Sequence, residues 1–139
     1  MGAAVQADSW LRVLFAGIPD LREARIEAPV STVPTSDSFD IEGTAERLAA
    51  GNGGYEVVLS TPGLELGVYV LIAPEPDRQQ PHEWDEVYFV LDGRGTLNVE
   101  GEEIPVEPGQ AVFVKAGAAH RFTGYEGLSL LVVFDKTPI

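Results

Sequence analysis

The chain contains no cysteine, one methionine and only two histidines in 139 residues. Without thiols it has no disulfide, no thiolate metal site and no cysteine nucleophile, and its redox compartment stays open. Basic residues are also scarce: 9 Lys and Arg stand against 22 Asp and Glu, a formal net charge of −13. The acidic residues are scattered, so the surface repels phosphate backbones, and with no basic patch nucleic acid is not an expected partner. No apolar run is long enough to span a bilayer, so no membrane partner is expected either. Residues 1–14 lack a basic leader and mix Asp8 and Arg12 among apolar positions, which does not read as a secretory signal. A soluble, cytoplasmic protein is the expectation. A nucleophile elbow, a phosphate loop and a dinucleotide fingerprint are missing too, which removes those reaction classes.

What is present is apolar material, 45% of residues, enough for one domain with a tail and too little for two. Val5, Trp10, Leu11, Val13, Leu14 and Phe15 suit a short amphipathic helix over about 4–15, ended by Gly17-Ile18-Pro19. Residues 29–40, rich in Pro, Ser and Thr, read as a linker or extended arm. A second short helix is expected over 44–50, capped by Thr44 and stopped by Gly51, with Ala45, Leu48 and Ala49 as its apolar side. Residues 1–53 therefore read as an N-terminal extension that packs on the main domain or on a partner subunit. Residues 54–139 read as that main domain.

From Tyr55 onward the texture changes to short apolar runs separated by Gly, Pro and acidic turn residues. The runs cover 55–60, 64–72, 86–91, 96–99, 103–106, 111–114, 120–123 and 128–134. Eight short strands at close intervals argue for an all-β antiparallel sandwich or barrel, with Asp92-Gly93 and Glu100-Gly101 placed as hairpin turns. The runs 87–91 and 128–134 are apolar on both faces, so one face lines the interior and the other needs a second layer. That layer is the N-terminal helix or a second subunit, and a homodimer is expected.

Both histidines sit where chemistry is plausible. His82 lies in Gln80-Pro81-His82-Glu83-Trp84-Asp85-Glu86, ahead of the run 87–91, and His120 closes the segment that starts at Gly109. Imidazole and carboxylate are ordinary ligands for divalent first-row metals, so His82, Glu86 and His120 can supply three donors and leave positions open. Gln80, His82 and Glu86 share strand parity, although Pro81 cannot donate to a ladder and the parity holds firmly only from Glu86 on. Spacing alone does not bring His120 to Glu86.

In this arrangement the chain resembles the cupin superfamily of small jelly-roll barrels. The first cupin motif reads His, any, His, three residues, Glu, six residues, Gly; here Gln80, His82, Glu86 and Gly93 stand at those positions. The second, Gly, five residues, Pro, any, Gly, two residues, His, maps onto Gly109, Lys115, Gly117 and His120, and its final Asn position is Gly124. The resemblance covers roughly 64–134, with Gln80 for His and Lys115 for Pro as departures. It implies a cupin jelly-roll β-barrel with a short helical N-terminal extension, of the single-domain bacterial kind with Gln in the first slot. It also implies that His82, Glu86 and His120 bind one divalent metal ion, with Fe, Mn, Ni, Co and Zn all suited. Gln80 is then a weaker fourth ligand or a hydrogen-bonding neighbour of the ligands.

Residues two beyond a ligand on the same strand share its pocket, which nominates Tyr88 and Phe122 as substrate-facing walls, with Trp84 at the mouth. Ordinary packing is the competing reading of Tyr88, and covering the barrel edge that of Trp84. Arg121 and Asp85 have the opposite parity and point away. The resemblance favours a metal-dependent enzyme acting on a small oxygen-bearing organic molecule, by dioxygenase or by isomerase or lyase chemistry, with no general base or other catalytic residue to name. The alternative is a non-catalytic module that holds a small ligand or sugar, its metal structural or absent.

Overall fold

The computed structural model describes residues 33–137. The helix expected over 4–15 lies outside them. Helix α1, Ile41–Ala50, begins three residues earlier than the sequence suggested. Its cap is Asp40, whose carboxylate accepts the Gly43 N–H at 2.9 Å. Thr44 is one turn inside and donates its hydroxyl to the Asp40 carbonyl at 2.7 Å. Two polar residues competed for the cap, and the carboxylate, an acceptor suited to the positive end of the helix, took it.

Eight antiparallel strands follow: β1 Gly54–Ser60, β2 Leu64–Ile72, β3 Asp85–Gly93, β4 Gly95–Val99, β5 Glu102–Val106, β6 Ala111–Val114, β7 His120–Thr123 and β8 Gly127–Asp135. They form a five-stranded sheet in the order β1-β2-β8-β3-β6 and a three-stranded sheet in the order β5-β4-β7. This is the expected all-β jelly roll, built as two facing sheets rather than one ladder closed into a barrel. Buried Tyr55, Val57, Tyr88, Val90, Leu97, Phe122, Leu130 and Phe134 belong to the core between the sheets.

The eight runs read from the sequence correspond to these strands, but one turn does not. Asp92 and Gly93 finish β3 instead of turning a hairpin, and the chain passes from the larger sheet to the smaller through Arg94. Gly93 has φ +85°, and a Cβ there would collide with the Gly127 carbonyl, so the corner demands glycine. Glu100-Gly101 is a true two-residue hairpin turn between β4 and β5, with φ 50° and 92°, the double positive φ of a type I′ turn.

The outer face of the five-stranded sheet is unevenly covered. Ala45 and Leu48 of α1 pack on Val58, Val68 and Val70 of β1 and β2. Burying a Leu side chain in this way contributes about 1.5–3 kcal/mol. On the β3 and β6 side, Phe89 and Phe113 remain 42% and 59% exposed. Among the described residues no helix is long and apolar enough to cross a membrane.

Candidate metal centre

Two backbone ties bring the sequence segments of the site together. The His82 carbonyl accepts the Gly117 N–H at 2.7 Å, and the Asp85 carboxylate accepts the Ala116 N–H at 2.9 Å. The approach to β3 is thereby fastened to the turn between β6 and β7, the turn that delivers His120. Asp85 is exposed and faces away from Glu86, and Arg121 is likewise exposed, as strand parity requires.

Glu86 projects from β3 of the larger sheet and His120 from β7 of the smaller, so the centre lies between the sheets. His82, Glu86 and His120 are 8%, 2% and 6% exposed, and one donor atom from each lies within 4.8 Å of the others. The Glu86 Oε1 is 3.1 Å from His120 Nε2 and 3.8 Å from His82 Nε2. The two imidazoles meet edge to face at 5.1 Å between ring centroids, and His82 also packs on Phe134 at 5.3 Å.

His120 Nδ1 lies 2.9 Å from the Ala118 carbonyl, which can only accept, so Nδ1 carries a proton. In the neutral ring Nε2 is then an acceptor, with the Tyr88 hydroxyl at 3.0 Å, and 3.1 Å away stands a carboxylate oxygen with no hydrogen-bond partner. Two lone pairs facing each other in a buried space call for a cation between them, either a proton or a metal ion. The proton's share of that demand shows in His120: burial opposes its protonation, but the adjacent Glu86 carboxylate and the Ala118 carbonyl outweigh burial and raise its pKa above the ordinary value. His82 Nδ1 is a second buried atom without a partner. Two imidazoles and one carboxylate, with donor atoms within 4.8 Å of one another and the Glu86 oxygen lacking a hydrogen-bond partner, fit a divalent first-row metal.

Tyr88 is 1% exposed, and its hydroxyl lies 3.0 Å from His120 Nε2 and 2.9 Å from Gln79 Oε1. Burial, with the Glu86 charge beside it, pushes the phenol far above its ordinary pKa, so it stays a neutral hydrogen-bonding group. Phe122, also buried, packs edge to face on Tyr88 at 4.9 Å, and half-buried Trp84 packs on Phe134 at 5.9 Å. Tyr88 therefore stands within reach of the donors, Phe122 one ring behind it, and Trp84 beyond Phe134.

Gln80 stands elsewhere. It is exposed, and its neighbour Gln79 turns inward, with Oε1 3.0 Å from His82 Nε2. The segment before β3 is irregular, so the strand parity that selected Gln80 has no ladder to enforce it. Asp77, 1% exposed, holds the loop instead. It accepts the Tyr69 hydroxyl at 2.7 Å, the Phe122 N–H at 2.9 Å, and from Gln79 both the backbone N–H at 3.2 Å and the side-chain amide at 2.6 Å. Sequence reasoning passed over Asp77 and Gln79; an isolated Asp two residues before a Gln carries no signal of burial.

A family model described as the cupin domain matches residues 68–134, a span that contains all three clustered donors. The chain belongs to the cupin family. It is 45% identical over 92 residues to an uncharacterized protein of Streptomyces coelicolor, an alignment that covers 66% of this chain and 87% of that one. It is 30% identical over 115 residues to an acireductone dioxygenase of Leishmania infantum, covering 76% of this cupin but only 33% of that protein. Among solved structures, a Thermus thermophilus protein superimposes with a TM-score of 0.62 at 26% identity, covering 73% of this chain and all of that one.

Proposed function

We propose that this cupin is a metal-dependent enzyme whose single divalent ion is held by His82, Glu86 and His120. The observation that carries the reading is the unpartnered Glu86 oxygen set among imidazole nitrogens in a buried space. A bound ion there would supply Lewis acidity toward an oxygen-bearing substrate or, if iron, a place for dioxygen to react. The chain's own residues do the rest. Glu86 and the imidazoles fix the ion's position, Phe122 and Phe134 exclude water, and the Tyr88 hydroxyl offers a neutral hydrogen bond to a substrate oxygen at the ion.

The alignment with an acireductone dioxygenase supports oxygen chemistry on a small organic molecule, with isomerase or lyase action as the other form of the same reading. The exposed apolar strip of Phe89, Leu91 and Phe113 supports the expected homodimer. Packing of α1 on the sheet supports assigning residues before 54 to an extension that covers the jelly roll. A cytoplasmic location completes the proposal.

Metal content of the purified protein, compared with His82→Ala and Glu86→Ala, tests the reading. About one equivalent of a first-row metal is expected in the wild type and a loss of nearly all of it in each variant. Unchanged metal in both variants would remove the centre. A second reading has one observation in its favour. All three donors are buried and Tyr88 closes one side, as in a structural metal site inside a non-catalytic binding module. Dioxygen consumption and turnover by the metal-loaded protein across small enolisable substrates separate the two.

A further inference from the structure

We propose that Gln79, not Gln80, is the fourth donor to the metal, and that buried Asp77 is the residue that aims it. The inference rests on the metal centre proposed above and adds a ligand at a position the cupin motif spacing does not select.

The amide's orientation is fixed by chemistry. A Gln side chain has a donating end and an accepting end of nearly the same shape, and its neighbours decide which way it faces. Asp77 can only accept, and its carboxylate receives the Gln79 Nε2–H at 2.6 Å and the Gln79 backbone N–H at 3.2 Å. A flipped amide would set oxygen against carboxylate. The carbonyl oxygen Oε1 is therefore turned the other way, into the site, 3.0 Å from His82 Nε2 and 2.9 Å from the Tyr88 hydroxyl. Asp77 is itself held by Tyr69 of β2 and the backbone of Phe122 in β7, so the latch is anchored to both sheets.

The spacing suits coordination. Donors that each lie about 2.0–2.2 Å from one ion stand on the order of 3–4 Å apart. Gln79 Oε1 lies 3.0 Å from His82 Nε2, Glu86 Oε1 lies 3.1 Å from His120 Nε2, and His82 Nε2 lies 3.8 Å from Glu86 Oε1. An amide oxygen is a harder and weaker donor than imidazole, so the fourth ligand leaves the ion more electrophilic than a third histidine would. Asp77 places a negative charge behind that ligand, which strengthens the carbonyl as a donor and keeps it oriented.

The test titrates Co(II) into apo protein by calorimetry and records the visible absorption of the bound ion. Gln79→Leu is expected to weaken affinity 10- to 100-fold and to change the Co(II) spectrum, and Gln80→Ala to match wild type within twofold. Asp77→Asn is expected to weaken binding about tenfold with native near-UV circular dichroism. Wild-type affinity and spectrum in Gln79→Leu, or the same loss in Gln80→Ala, would overturn the proposal. His82→Ala separates the two levels. Lost binding there with none lost in Gln79→Leu removes only the fourth ligand, and binding retained there removes the metal centre itself. Should Asp77→Asn fail to fold, Gln79→Leu set against Gln80→Ala still decides.

Discussion

Two glutamates lie on one interior row of the larger sheet, on either side of the same phenylalanine. Glu65 of β2 and Glu86 of β3 each pair across their strands with Phe134 of β8, and they are 0% and 2% exposed. Glu65 receives the Tyr55 hydroxyl at 2.7 Å. Directly opposite it on β1 is Ser60, which accepts a hydrogen bond from the buried Lys136 ammonium at 3.1 Å. That corner brings its own cation and its own donors. Glu86 has no Lys or Arg beside it among the ion pairs of the described residues and faces two imidazole rings instead, at 3.1 and 3.8 Å. The difference teaches how a structural buried carboxylate can be told from one proposed to hold an ion. In the first a permanent ammonium stands on the residue across the ladder; in the second the neighbours are metal-ligating side chains, which is what the proposed ion would need.

The widest gap between the two corners is expected in metal-dependent stability. At a free Co(II) concentration a hundredfold above Kd, a site formed only in the folded state adds about 2.7 kcal/mol. Thermal melts with Co(II) and with chelator are expected to differ by several degrees for wild type and for Glu65→Gln, and not at all for Glu86→Gln. A Glu65→Gln protein that folds but has lost the metal-dependent gain would break the comparison.

This contrast was only half legible in the sequence. Glu86 stood out because His82 and a recognisable motif surround it, and His120 joined it through the second motif. Glu65 sits between Leu64 and Leu66, and its burial, with Leu64 39% exposed beside it, reverses what composition suggests. Across the ladder from it Ser60 receives Lys136, beyond the end of the last apolar run, and no local pattern reports a contact over that distance. The strands were readable because alternation and turn residues act locally. The cap of α1, the corner at Gly93 and the choice of Gln79 over Gln80 were not, because each is settled by contacts from another part of the chain.

Of the same order, and large against ordinary stability, is the effect expected at Lys136. It is 7% exposed and lies over the Trp84 ring at 5.7 Å. Lys136→Met leaves the Glu65 charge in the same interior without the ammonium, a loss of about 3–5 kcal/mol. Urea unfolding of the double variant Lys136→Met with Glu65→Leu is expected to recover most of that loss, since no charge then remains to be compensated. A single variant as stable as wild type would mean that the ammonium does not neutralise this corner.

The smallest effect is steric and isolates the Tyr55 side of the corner. Gly67 of β2 is in the row next to Glu65, and a Cβ there would run into the ring and hydroxyl of Tyr55. Gly67→Ala must therefore swing Tyr55 away from the Glu65 carboxylate, at about 1–3 kcal/mol for overpacking a filled interior. The clash has one partner, so it should vanish when that partner is removed. In a Tyr55→Ala background the Gly67→Ala change is expected to be close to neutral, and the double-mutant cycle then assigns the cost to this contact rather than to backbone strain. Co(II) affinity is expected to stay within twofold of wild type throughout, because Tyr55 bonds Glu65, on the other side of Phe134 from Glu86. A parallel fall in stability and metal affinity would show that the two corners are mechanically one, coupled through Phe134.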